Sequence, residues 1–131
     1  MDLNSGCYLL LIRLDRGQRL TIGALGEVDL PAGCYLYTGR ARRNLRQRVA
    51  RHFHSRKKIR WHIDYLLQAA VIEEARLLRR LDECALAREM ASLHGAKVIS
   101  GFGSSDCRCP GHLVHMEFRP DLSDFDPVFE K

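Results

Sequence analysis

Residues Cys7 to Leu14, CYLLLIRL, restrict the fold of this chain more than any other stretch. Apart from Arg13 both alternating faces are apolar, and a strand with two apolar faces has to be covered on each side. That places it in the interior of a sheet. Asp15-Arg16-Gly17-Gln18 reads as a turn, and Leu20 to Leu25 as a return strand loosened by Gly23 and Gly26. With Pro31 and Gly33 interrupting the chain before the next strand, the first third reads as a small antiparallel meander.

That next strand opens the stretch 33–52, GCYLYTGRARRNLRQRVARH. Cys34, Leu36 and Thr38 alternate with Tyr35 and Tyr37 at the period of a pleated sheet, and Gly39 is expected to end the strand. Asn44 is expected to cap a helix whose apolar stripe is Leu45, Val49 and Phe53. Arg48 and His52 lie one turn apart on one edge of that stripe, whereas Arg51 points further toward solvent. Such a pair could line a cleft, or could simply extend outward from a half-buried helix.

The chain carries a formal charge of +5, and the positive charge is concentrated. Arg40, Arg42, Arg43, Arg46, Arg48, Arg51, Arg56, Lys57, Lys58 and Arg60 fall in a span that contains no acid. A block of one sign attracts a polyanion, so Arg40, Arg42, Arg43, Arg46, Arg51, Lys57 and Lys58 are candidate nucleic-acid contacts. The alternative is a solvated helix face, although such faces usually mix both signs. Acids gather instead near the C-terminus at Glu117, Asp121, Asp124, Asp126 and Glu130. Residues 1–118 are therefore expected to form one domain, and 119–131 an acidic tail packed loosely and away from the basic face. No apolar run is long enough for a bilayer and no leader pattern opens the chain, so a cytoplasmic protein without a membrane partner is expected. Five cysteines without a secretory signal argue against a disulfide framework, and Cys7 and Cys34 read as small core residues.

Trp61 to Gln68 reads as a largely buried helix with His62 among its apolar residues and Asp64 and Gln68 on a polar edge. His62 is expected to be a hydrogen-bonded core residue. Val71 to Arg79 fits a strand in part. A third helix is expected between a cap at Asp82 and a left-handed closure at Gly95, with Leu86, Met90 and Leu93 as its apolar face. Glu83 projects onto that apolar side and Glu89 lies at its margin. A carboxylate so placed is paired, holds a cation, or answers the helix dipole. Cys107-x-Cys109-x-x-His112 offers three soft ligands, with His115 or Cys84 as a possible fourth for zinc; reduced cysteines packing a loop are the alternative. His112 to Phe118 alternates like a final strand.

Gly6-Cys7-Tyr8 and Tyr37-Thr38-Gly39 resemble the paired motifs of the GIY-YIG endonucleases, with Cys7 in place of isoleucine and Arg40 where a serine is common. Trp-His-Ile-Asp-Tyr, Glu-Cys-x-Leu-Ala and Gly-Phe-Gly-Ser-Ser-Asp-Cys-x-Cys extend the resemblance to the Uri-type branch over residues 6 to 115. The resemblance implies a small α/β (α+β) fold, with a central antiparallel sheet flanked by helices. It also implies hydrolysis of phosphodiester bonds in nucleic acid, DNA more than RNA, with Mg²⁺ or Mn²⁺. Carried over, Tyr8 and Tyr37 are the motif tyrosines, Arg48 the catalytic arginine, His52 the accessory histidine and Glu83 the metal carboxylate. Nothing in the charge pattern itself requires turnover, so a nucleic-acid-binding module without catalysis is the competing expectation.

Overall fold

The computed structural model describes residues 4–54, 57–103, 109–123 and 125–127. Its centre is β1 (Gly6–Leu14), of which every residue but Arg13 is buried. Both edges of β1 are occupied, one by β4 (Gly33–Ala41) and the other by β5 (Val71–Leu78), each antiparallel. Two further strands, β6 (Ala96–Val98) and β7 (Leu113–Met116), extend the β4 side, and β8 (Asp126–Pro127) closes the β5 side. The result is an α+β domain around an antiparallel sheet in the order β6-β7-β4-β1-β5-β8.

The expected meander is corrected at one point. β2 (Gln18–Ile22) does not return along β1; after a short 3-10 turn it pairs with β3 (Gly26–Leu30) in a separate two-stranded sheet. Of β2 only Ile22 is buried, so the more apolar β4 and β5 hold the places beside β1. β4 likewise runs through Gly39 to Ala41 instead of stopping at the glycine.

Alternation along β1 divides the core in two. Tyr8, Leu10, Ile12 and Leu14 face α1 (Leu45–His52) and α2 (His62–Leu66), packing with Leu45, Val49, Ile63 and Leu66. Cys7, Leu9 and Leu11 face α3 (Glu83–Ala91), packing with Leu86 and Met90. Cys7 is thus the small core residue expected of it, and burial pushes its thiol pKa up to about 12, whereas Cys34 is only half-buried. Two expected core residues fall outside. Phe53 and Leu93 are exposed because α1 ends at His52 and α3 at Ala91, which takes both off the helical face. The buried place in the last turn of α1 goes to His52.

The helix starts also differ from expectation. Asn44 precedes α1 in a left-handed conformation (φ 57°) and makes no capping bond with its side chain. Asn4 does that work from just before β1, at the sheet end where Gly6 pairs with Ala41: its carbonyl accepts from Leu45 N and its Oδ1 from Arg46 N. Asp82 precedes α3 without a capping bond as well, its carboxylate being held by Arg80. Gly95 is left-handed as expected (φ 82°).

The acidic tail is not loose where it is described. Leu122 is buried in the cluster with Leu9, Leu11 and Met90. Arg119 pairs with Glu73 and Glu74, and Arg76 Nη1 donates to the Phe125 carbonyl. Apolar burial outweighs the negative charge here, and the tail's own Arg119 is drawn to the acids of β5. Asp124, Glu130 and Lys131 lie outside the described residues. Leu122→Ala should lower the unfolding free energy by about 2–3 kcal/mol, the cost of emptying a buried leucine site. A change within about 0.5 kcal/mol in urea unfolding, as for an exposed position, would contradict this packing.

Candidate active site

Because β1 and β4 pair with Tyr8 opposite Gly39, the start of one motif strand lies against the end of the other. A Cβ on Gly39 would stand 2.2 Å from Tyr8 Cζ and 2.4 Å from its hydroxyl. The glycine therefore does not end a strand; it leaves room for a phenol to lie across the backbone. Beside it opens a cleft of about 660 Å³ lined by Tyr8, Tyr37, Arg40, Arg48 and Glu83, among others. A phenol from β1, a guanidinium from α1 and a carboxylate from α3 thus share one cavity although they are far apart in sequence. Glu89, the other candidate on α3, is half-exposed and pairs with Arg80 outside.

Each of these side chains is fixed from behind. Tyr8 Oη lies 2.8 Å from His52 Nε2, and His52 is itself buried between Tyr8 and the Trp61 ring. His52 supports the cleft from behind its wall instead of lining it. Burial, then the neighbouring Tyr37, raises the Tyr8 pKa well above the ordinary 10. Burial, then Glu83, raises that of Tyr37 as well. Burial lowers His52 from 6.5 to about 4 against the pull of Asp64. Both members of the pair are therefore neutral near pH 7. The phenol is the stronger acid and the imidazole the stronger base, so Tyr8 donates and His52 Nε2 accepts.

Arg48 Nη1 donates to the Arg40 carbonyl at 2.6 Å, and its guanidinium sits 4.8 Å from the centre of the Trp61 ring. Arg51 and Arg60 lie over the same ring at 4.6 and 5.0 Å. Trp61 opens one of the motifs that carry the resemblance but was assigned no role there, and it aligns three of the basic groups. Asp64 is the second surprise. Far from a polar helix edge, it is fully buried, and it accepts from Arg51 at 3.1 and 3.2 Å and from the N–H of Arg60 and Trp61. Burial works against its charge, but those donors outweigh it and hold the carboxyl below its ordinary pKa. His62 accepts from Gly103 N at 2.9 Å and so is hydrogen-bonded as expected, but it is not a core residue: it is half-buried and lines the cleft.

The basic block divides by what its members touch. Arg42, Arg43, Arg46 and Lys58 are exposed, and Arg40, Arg60 and the unforeseen Arg88 line the cleft. Arg51 is engaged with Asp64 and the Lys58 carbonyl, and Lys57 Nζ donates to the His52 and His54 carbonyls at the end of α1. Arg56 lies outside the described residues. Glu83 faces two cationic or potentially cationic groups: Arg40 Nε at 4.0 Å and His112 Nδ1 at 3.4 Å.

A second set of potential ligands lies next to Glu83. Cys84, Cys109 and His112 present ligand atoms all within 4.8 Å of one another, a group that could hold a metal ion. This revises the expected set, since Cys84 joins it, Cys107 lies outside the described residues, and His115 is elsewhere, against Tyr35 and the Ala32 carbonyl. No cysteine among the described residues is in a disulfide, and no helix among them is long and apolar enough to cross a membrane.

The His52 environment fixes a pH dependence. Its pKa is depressed by folding, so as pH falls the unfolded chain takes up this proton before the folded one does. The stability concerned is present above pH 6.5 and is lost as pH falls toward 4, amounting to about 3 kcal/mol. Urea unfolding at pH 7 and pH 4 should show a smaller loss in His52→Gln than in the parent. Equal losses would mean that His52 is not held neutral.

No curated protein and no solved structure matches this sequence. A family model does, over residues 7–129, and the chain belongs to the family described as domain of unknown function DUF123.

Proposed function

We propose that this protein is a divalent-cation-dependent endonuclease of the GIY-YIG type that hydrolyses phosphodiester bonds in nucleic acid, DNA first of all. The observation that carries this reading is the meeting of Tyr8, Tyr37, Arg48 and Glu83 in one cleft rimmed by Arg40, Arg60 and Arg88. Phosphodiester hydrolysis builds negative charge at phosphorus, at the attacking water and at the leaving sugar oxygen. A wall of arginines answers the first of these, and a planar guanidinium can meet two phosphate oxygens at once. Arg48 suits that role because its bond to the Arg40 carbonyl and the Trp61 ring beneath it hold the fork before substrate arrives.

Glu83 supplies the hard oxygen donor that Mg²⁺ or Mn²⁺ prefers, and it opens onto the cleft. Such an ion would act as a Lewis acid on the leaving oxygen. Tyr8 is too weak an acid in this setting to be present as phenolate. It acts instead as a relay: its oxygen takes a proton from the attacking water while its own proton passes to His52 Nε2. The water oxygen bonds to phosphorus, the bond from phosphorus to the sugar oxygen breaks, and that oxygen takes a proton from solvent. His52 is a poor base when buried alone, and the anionic substrate beside it favours the imidazolium. Tyr37 positions water or substrate from the opposite strand.

One observation favours a second reading. Arg40 Nε stands 4.0 Å from Glu83, and a closer pairing would neutralise the carboxylate and leave a nucleic-acid-binding module without turnover. Cleavage of duplex, branched and single-stranded substrates with Mg²⁺ or Mn²⁺ separates the two. Arg48→Ala and Glu83→Ala should each slow cleavage by roughly 100-fold or more, while low-salt binding, carried by the exposed arginines, changes by less than about tenfold. Parental rates in both variants would remove the assignment, and binding without any metal-dependent cleavage would select the module.

A further inference from the structure

Three chain segments meet beside the cleft without a role in the reading above: the first turn of α3 at Cys84, the loop residue Cys109, and His112 just before β7. We propose that Cys84 Sγ, Cys109 Sγ and His112 Nε2 together hold a thiophilic divalent cation of the zinc class, separate from the hard cation of the cleft.

The chemistry of the donors argues for this ion. Two sulfurs and an imidazole select zinc over Mg²⁺, Ca²⁺ or Mn²⁺, which prefer oxygen. The spacing allows it too. Cys84 Sγ and His112 Nε2 are 3.8 Å apart, within reach of a hydrogen bond to sulfur and of a shared metal ion alike. Two ligands on a tetrahedral zinc, with bonds of about 2.3 Å to sulfur and about 2.05 Å to nitrogen, stand about 3.6 Å apart. Small movements would close all three donors onto a shared centre, since every pair already lies within 4.8 Å. None of the four described cysteines, Cys7, Cys34, Cys84 and Cys109, is tied up in a disulfide.

The surroundings of the histidine complete the pattern. Its other nitrogen, Nδ1, faces Glu83 Oε2 at 3.4 Å. A metal-bound imidazole carries its proton on the nitrogen away from the metal, and a carboxylate there orients the ring and strengthens the ligand. Metal on Nε2 therefore directs the Nδ1 proton toward Glu83. The ion would staple the start of α3 to the segment entering β7, and so fix the backbone that presents Glu83 to the cleft. Asp82 gives α3 no side-chain cap at this end, so the staple would add a tie there to the packing of Leu86 and Met90.

The test uses the full chain and needs neither Mg²⁺ nor nucleic acid, so its outcome is independent of the nuclease reading. Protein loaded with zinc and dialysed against metal-free buffer should retain about one ion per chain by elemental analysis. Replacement by Co²⁺ should give tetrahedral visible bands and a thiolate-to-cobalt charge-transfer band in the near ultraviolet. Cys84→Ser and Cys109→Ser should each weaken that band and lower zinc affinity by at least roughly tenfold, as should His112→Gln, while Cys34→Ser keeps both. Glu83→Gln should retain the ion with affinity reduced about tenfold. A folded parent that takes up no zinc and shows no thiolate–cobalt band overturns the proposal, and so does a spectrum unchanged by Cys84→Ser. Should a ligand variant fail to fold, the parent's cobalt spectrum and thiol count decide. After unfolding in chelator all five cysteines should react, and a count lower by two would show a disulfide in place of the metal.

Discussion

The contact between Tyr8 and Gly39 is the constraint on which the site depends. Antiparallel pairing of β1 with β4 sets these two residues opposite each other, and the missing side chain lets the phenol cross the neighbouring strand at van der Waals range. From there its hydroxyl reaches His52 on α1, which ties the central sheet to the helix carrying Arg48. A side chain at position 39 would meet the aromatic ring before any other atom. The phenol would then have to leave either its histidine or the cleft.

Around that contact, charge is sorted by depth. The buried carboxylate of Asp64 is matched by Arg51 and two backbone donors, so one cation of the basic block serves the interior. Trp61 carries Arg48, Arg51 and Arg60 on its ring, keeping like charges close while spreading their attraction over one electron-rich surface. What remains toward solvent is a cationic margin beside Glu83 and the Arg80-paired Asp82. Such a surface is suited to a polyanion, and under the proposed function Glu83 is where a divalent cation would bind.

The sequence made some of this plain and hid the rest for definable reasons. β1 was legible because apolar residues on both faces leave a strand no place but the sheet interior. Glu83 was legible because a helix wheel sets it on the inward side and Glu89 only at the margin; Glu83 lines the cleft and Glu89 pairs with Arg80. Convergence of Tyr8 with Arg48 was not available from periodicity, and the resemblance alone suggested it. Gly39 looked like a strand end because the reason for it, a ring from another strand, is invisible in local pattern. Asp64 fell on a polar helix edge for the same reason: its partner Arg51 belongs to a different helix. Asn4 caps α1 through contacts across a long sequence separation, whereas Cys84, a possible fourth ligand from the sequence, is one of the three that meet. Acidic composition alone predicts a loose tail, whereas Leu122 holds it in the core.

The central claim is that the carboxylate of α3 and the strands bearing the two tyrosines enclose one cation-binding cleft. Titrating isotope-labelled, zinc-saturated protein with substoichiometric Mn²⁺ and mapping paramagnetic broadening of the amide signals tests it most directly. The account predicts that broadening centres on Gly39, Arg40, Glu83 and Cys84 and disappears in Glu83→Gln. Broadening centred on the Glu73–Glu74 pair of β5, or unchanged by that substitution, would contradict it.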